Sequence, residues 1–322
     1  MKKYLIIAAI ATAFAACSND NEVNGGDEYT PQPIRLGTSM TAMRSNSQSL
    51  QNKELAEDQT VGVYIYYNTK ATTTDNYGYK NIAYTVDGND GDLKIVDTDK
   101  QPYYPDDKNQ QVDVYAFAPQ FVTTTGELSS MTSVSFTTKS DQTDADDYNA
   151  SDFVWGMATL TPTTSTTANL ITMTHKLSKI NVNIAKGTGM TLEALKGATI
   201  TLAGVNLNGK INLTDGTASE DGTTTSILTL TTGTADDAKG KFKSDPGVDC
   251  YQASAVIIPQ TITDQTLTIT LANSSTYTYS LSGTFAATEV NTYDVKINAT
   301  GLTLTTTINN WTDGSTTSGT AE

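Results

Sequence analysis

The sequence predicts an all-β protein built from β-sandwiches. Three observations carry that expectation. Threonine is abundant and the aromatics are mostly tyrosine, while helical runs are scarce. Apolar residues recur at every second position in many short runs. Asn-Gly and Asp-Gly pairs punctuate those runs as turns do.

The chain opens on an export signal. Lys2 and Lys3 precede an apolar stretch from Leu5 to Ala16, broken only by Thr12 and ending in small residues. That stretch is shorter than the roughly 20 residues a transmembrane helix needs. Cys17 follows Phe14-Ala15-Ala16 directly, an arrangement that resembles a lipobox, so Cys17 is expected to become the lipidated first residue. Its acyl chains would anchor the protein to a membrane at about 0.8 kcal/mol per buried CH₂. The polar, acidic stretch 18–30 then reads as a flexible tether.

Strand signals follow. Ile34, Leu36, Met40 and Ala42 share one face of an extended segment, and Arg44 follows it at once. Val61, Val63 and Ile65 alternate with Gly62, Tyr64 and Tyr66, and Val112, Val114 and Ala116 with Asp113, Tyr115 and Phe117. Each pattern puts one face in a core and the other toward solvent or a second layer. A polar break at 161–167 separates two strand-rich halves, so the expected domains are 31–167 and 168–322, after the leader (1–17) and the tether (18–30). Thr191 to Lys196 offers one helical turn. Asn208-Gly209, flanked by alternating residues from Val205 to Leu213, predicts a type I′ hairpin. Leu267, Ile269 and Leu271 alternate with threonines in a further strand.

Composition excludes several functions. The 322 residues carry a formal net charge of −15, which argues against nucleic-acid binding. With Cys17 lipidated, Cys250 has no partner in the chain and reads as a buried small hydrophobe. The single histidine, His175, lies in a strand-like run with no nucleophile elbow nearby, and one histidine cannot build a multi-histidine zinc site. Asp87 to Asp92 resembles part of a calcium loop, but its Gly and bidentate Glu are out of place. Asp141, Asp144, Asp146 and Asp147 read as a solvated acidic loop. No phosphate-binding glycine loop occurs, and no carboxylate pair stands out as a glycosidase pair. The expectation is therefore no enzyme, no cofactor and no specific metal. Tyr64, Tyr66, Tyr67, Tyr77, Tyr79, Tyr103 and Tyr104 cluster in the first half, where they pack on sheet faces or, in a second reading, form a contact surface.

A family resemblance joins these segments. Gln101-Pro102-Tyr103-Tyr104-Pro105, the run from Val112 to Pro119, Ser151-Asp152-Phe153-Val154-Trp155-Gly156, the run from His175 to Ile180, the run from Asn291 to Leu302 and Ile308-Asn309-Asn310-Trp311 follow one another behind a lipoprotein signal. This succession resembles the fimbrillin family of Bacteroides-type pili over nearly the whole mature chain. The resemblance implies two tandem transthyretin-like β-sandwich domains and a subunit of a surface fimbria on the outer membrane. It also implies assembly by strand exchange with other pilus subunits, after a trypsin-like protease removes the lipidated N-terminus with the first strand. On this chain the cut falls after Arg44, with Arg35 as the rival site, and the strand removed carries Ile34, Leu36, Met40 and Ala42. A host or bacterial surface receptor is a further expected partner. The alternative is a monomeric surface lipoprotein that binds a glycan or host protein and keeps its N-terminus uncut.

Overall fold

The computed structural model describes residues 31–40, 55–67, 77–87, 91–107, 109–121, 131–232, 241–244 and 248–310. Cys17, the tether, Ala42 and Arg44 lie outside the described residues.

The first half supplies β1 (Leu36–Met40), β2 (Thr60–Tyr66), β3 (Tyr77–Asp87), β4 (Asp92–Ile95), β5 (Val112–Ala118), β6 (Val134–Thr137), helix α1 (Ala145–Ser151), β7 (Val154–Leu160) and β8 (Asn169–His175). All of these strands except β6 close into a barrel in the order β1-β4-β3-β2-β5-β7-β8. β1 closes the barrel, because it pairs with both β4 and β8. β8 follows the polar break at 161–167 and still belongs to the barrel.

The alternation seen in the sequence serves two cores at once. Val61, Val63 and Ile65 of β2 and Val112, Val114 and Ala116 of β5 fill the barrel. Tyr64 and Tyr66 of β2 and Tyr115 and Phe117 of β5 point the other way and are equally buried, in a second, aromatic core. Neither face of these strands meets solvent, which is why both alternate sets are large and apolar.

The second half supplies β9 (Ser178–Lys186), β10 (Thr199–Asn206), β11 (Asn208–Ile211), β12 (Ala218–Glu220), β13 (Thr225–Thr229), β14 (Thr231–Thr232), β15 (Lys241–Ser244), β16 (Val248–Ile257), β17 (Gln260–Thr270), β18 (Thr276–Phe285), β19 (Glu289–Asn298) and β20 (Gly301–Asn310). One sheet runs β13-β10-β17-β18, and the facing sheet runs β14-β16-β9-β19-β20 with β15 beside β16. Between them lies a core that includes Ile180, Val182 and Ile184 of β9, Leu202 of β10, and Leu267 and Ile269 of β17. The expected helical turn after β9 is a 3-10 turn at Glu193–Leu195.

The aromatic core lies where the halves meet. Tyr64, Phe117 and Phe153 from the first half share it with Ile211, Val256 and Val290 from the second. The excursion between β5 and β7 carries the first half across. β6 pairs with β11, forming a sheet β12-β11-β6. Farther on, the Gln142 side chain imitates a strand partner. Its Nε2 donates to the Val256 carbonyl at 2.8 Å, and its Oε1 accepts from the Val256 N–H at 2.8 Å. Gln142 is fully buried, so these bonds replace the water its amide gave up.

Two sequence expectations are corrected. Asn208-Gly209 is not a hairpin turn. Both residues lie in β11, where Gly209 pairs with Phe136 on one side and Glu220 on the other. A Cβ on Gly209 would come 2.8 Å from Ile258 Cδ1 and 2.9 Å from the Ser219 carbonyl, so close packing, not positive φ, requires glycine there. The hairpin turn is Asp215-Gly216, between β11 and β12, with Gly216 at φ 73°. The acidic stretch near Asp144 is not a plain loop either. Asp144 caps α1 by accepting from the Asp146 N–H at 2.7 Å, and Asp146 and Asp147 sit in the first turn, where the helix dipole favours them. Asp141 accepts from the Thr143 hydroxyl and N–H, which hold its carboxyl below the ordinary value.

Candidate functional site

The site with the clearest architecture is the slot of β1. Ile34, Leu36 and Met40 are 1%, 2% and 7% exposed and point into the barrel core. Full burial of such side chains contributes roughly 1.5–3 kcal/mol each, an upper estimate. Arg35, between the first two, is exposed, as the alternation of a strand requires.

The two sides of the slot differ. Against β8 the strand runs parallel and in full register, from Leu36 opposite Asn169 to Met40 opposite Met173. Asn169 reinforces the entry: its N–H and its Nδ2 both donate to the Arg35 carbonyl, at 2.9 and 3.0 Å. Against β4 the described residues give one register pair, Gly37 opposite Asp92. Just beyond it the Gly91 carbonyl accepts from the Thr38 N–H at 2.7 Å and from Thr38 Oγ1 at 3.2 Å. Gly91 has φ 73°, and a Cβ there would lie 2.1 Å from the Thr38 carbonyl oxygen. Ahead of the strand, the Ile34 N–H donates to the Pro102 carbonyl at 2.9 Å, and the Tyr104 N–H donates to the Gln32 carbonyl at 2.9 Å. Tyr103-Tyr104 thus clamps the lead-in to β1. Burial pushes the Tyr104 phenol up, while its hydrogen bond from Asn169 works the other way.

A second polar constellation lies between the halves. His175, the last residue of β8, is 3% exposed, and its Nδ1 sits 2.8 Å from Asp152 Oδ1. Lys179 of β9 is fully buried, with its Nζ 5.8 Å from the centroid of the Tyr148 ring. Burial pulls the Lys179 amine down to about 7, against the opposing charge of Asp152. Burial, and then the Asp152 charge, push the Tyr148 phenol well up. The His175–Asp152 pair is buried. Among the described residues no group of His, Cys, Asp and Glu is arranged to hold a metal, and no helix is long and apolar enough to cross a membrane.

The structure thus gathers Ile34, Leu36 and Met40 on one buried face, with Arg35 on the opposite, exposed one. Cys17, Ala42 and Arg44 lie outside the described residues. Cys250 is buried and forms no disulfide among the described residues. Of the clustered tyrosines, Tyr64, Tyr66 and Tyr104 are buried, and Tyr103 is 39% exposed. The sequence reading missed Asp152 and Lys179. The signal for Lys179 was its place in Ser178 to Lys186, where Lys179, Asn181 and Asn183 alternate with Ile180, Val182 and Ile184 in a strand central enough to bury both sets.

A model of the fimbrillin-like family matches residues 44–311. Two solved structures share the fold. A candidate cell adhesion protein of Bacteroides ovatus is 19% identical at a TM-score of 0.67, covering 88% of this chain and 98% of that one. A candidate cell adhesion protein of Bacteroides uniformis is 20% identical at a TM-score of 0.61, covering 87% and 99%. No curated protein matches the chain.

Proposed function

The chain belongs to the fimbrillin-like family, and from that premise we propose that it is exported as a lipoprotein through Cys17 and joins a fimbria by strand exchange at the β1 slot. This is a pilus or adhesin subunit of the cell surface, structural and not catalytic. It assembles with other fimbrial subunits.

One observation carries the finer reading, namely the place of β1. A strand that fills the barrel with Ile34, Leu36 and Met40 leaves an apolar trough when it goes. Its loss also exposes the full length of the β8 edge against which it paired. Such an edge is a template for a strand from a neighbour. Cleavage after Arg44 would free the whole strand, whereas cleavage after Arg35 would leave Leu36 to Met40 attached. In the same reading the chain forms two transthyretin-like domains. The membership of β8 in the barrel supports moving their boundary from the polar break at 161–167 to Lys176-Leu177. The lipid holds the precursor at the outer membrane until the cut.

Mass spectrometry of the mature N-terminus, on material taken from the cell surface, tests this. The expected chain begins at Ser45 and runs as multimer ladders that collapse on heating. Assembled fibres whose subunits still begin at Cys17 would overturn strand exchange. An uncut monomer that binds a glycan or host protein would move the assignment to the alternative reading.

A further inference from the structure

The C-terminal sandwich carries an edge that the proposed strand exchange does not use. Its four-stranded sheet ends in β13 on one side and β18 on the other. β13 is short and partly covered: the Gln142 N–H donates to the Thr229 carbonyl at 3.0 Å, and the Thr229 N–H donates to the Ser140 carbonyl at 2.7 Å. β18 runs for 10 residues and, among the described residues, pairs with β17 alone. About half of its N–H and C=O groups therefore face away from β17. Thr276–Phe285 holds no charged residue and no proline, two devices that keep such an edge from pairing. β20, an edge of the facing sheet, is also uncharged, but Thr305, Thr306 and Thr307 are half-buried there, whereas most of β18 is exposed.

The side chains of β18 sort by face. Thr276, Thr278 and Ser280 pair with Thr270, Thr268 and Thr266 of β17 and stand exposed on the outer face of the sheet. Tyr277 and Tyr279 pair with the core residues Ile269 and Leu267 and so point to the inner side. Leu281 is buried in that core, Tyr277 packs against it, and Tyr279 is 38% exposed.

This pattern is self-complementary. In a twofold antiparallel pair of β18 strands, outer-face residues lie opposite outer-face residues. Centred on Tyr279, the pair sets Thr278 opposite Ser280 of the second copy, and Tyr277 opposite its Leu281. Centred on Ser280, it sets Thr278 opposite Ser282 and Tyr279 opposite Leu281. In either register hydroxyls meet hydroxyls, and aromatic side chains meet a leucine. Charge favours a second copy at this place. The chain carries a net charge of −15, so two copies approach best where both are neutral. Asp264 of β17 accepts from the Ser280 and Ser282 hydroxyls at 3.3 and 3.4 Å. In the pair, the two Asp264 carboxylates would be three strand spacings apart, about 14 Å, beyond the Debye length of about 8 Å at physiological salt.

We propose that β18 is a self-association edge, along which two copies of this chain join antiparallel into one continuous sheet. A single strand edge is a small contact, so the pair is reversible in solution. The β1 slot takes no part, and an uncut chain associates equally well.

Sedimentation equilibrium tests this on the uncut mature chain, with Cys17→Ser to exclude association through a lipid. A monomer–dimer equilibrium is expected between about 1 and about 500 µM. Over the same range, hydrogen exchange at 276–285 should slow several-fold, while β13 keeps one rate. Thr278→Lys combined with Ser280→Lys, both at exposed positions, brings like charges together in either register and should weaken the dimer about tenfold or more. The same lysines make the acidic chain less negative, so a dimer held elsewhere would tighten or stay unchanged. A chain that remains monomeric throughout overturns the proposal. So does open-ended aggregation, a dimer whose 276–285 amides exchange at the monomer rate, or a dimer indifferent to the two lysines. Full protection of 276–285 in the dilute monomer overturns it too, because another segment of the same chain would then cover the edge.

Discussion

β1 and β9 occupy equivalent starting positions and are held very differently. Each opens its own strand system, and each runs parallel to a strand near the end of that system, β1 to β8 and β9 to β19. β9 has complete ladders on both sides, from Cys250 to Ile257 of β16 and from Val290 to Ile297 of β19. Among the described residues β1 has one complete ladder and, on its other side, a single register pair with β4. Both send alternate residues into a core, so hydrophobic burial does not separate them. What separates them is the number of edges that must open for the strand to leave. A strand with two ladders has more hydrogen bonds to break before it can leave than one with a ladder and a clasp.

Proline tests that contrast most harshly. It removes a ladder N–H and clashes within a sheet interior, at a cost of about 3 kcal/mol or more by analogy with helix interiors. Val182→Pro, in the middle of β9, should abolish the cooperative unfolding transition. Thr38→Pro removes the N–H and the hydroxyl that donate to the Gly91 carbonyl on the β4 side, so this variant should fold with a lowered denaturation midpoint. Equal effects in circular-dichroism melts would erase the distinction between the strands.

Leu36→Ala sharpens it. Truncating a fully buried leucine costs about 2–5 kcal/mol, depending on how far the site collapses. If β1 is the exchangeable strand, urea titration should show that loss in the chain that retains β1. A form cut after Arg44 should show none of it.

The Lys179 amine adds a dependence on pH. Its folded value of about 7 lies below the ordinary 10.5. Between those values the unfolded chain holds a proton that the folded chain has released, so stability rises with pH across that window. Below pH 7 both states carry the proton and this group contributes no further slope. One unit of separation is worth about 1.4 kcal/mol, so the rise should amount to a few kcal/mol in denaturation midpoints measured from pH 7 to 10. Lys179→Met should flatten it.

The fold class and the strand faces were legible because period-two alternation records burial directly. Val61 and Val112 marked a core face, and the face of Tyr64 and Phe117 was left open to solvent or a second layer, which the structure fills with the aromatic core. The partners of those faces were not legible. Ser39 lies beside Thr172 across 133 residues of chain, and no local pattern encodes a parallel pairing at that distance. Asn208-Gly209 misled because glycine serves close approach as well as turns, and only Ile258 and the Ser219 carbonyl reveal which applies. Asp144 was readable as a helix cap, but a helix as short as Ala145–Ser151 gives too little periodicity beside four nearby aspartates. The buried polar side chains between the halves were not legible, since Asp152, His175 and Lys179 give no local signal until the fold buries them.

The finest test concerns the clasp itself. Gly91 holds φ 73°, and its carbonyl takes both hydrogen bonds from Thr38. In Gly91→Ala the left-handed backbone and the 2.1 Å approach to the Thr38 carbonyl both oppose the new methyl. The local cost is about 1–2 kcal/mol. It should fall on the β4 side alone, with the Thr38 amide exchanging faster and the Asn169 amide, bonded to Arg35 on the β8 side, unchanged. If both amides respond together, β1 is released from its two sides as one unit and the clasp has no separate identity. If only Thr38 responds, the strand opens first toward β4, and an incoming strand would find the β8 ladder as its last obstacle.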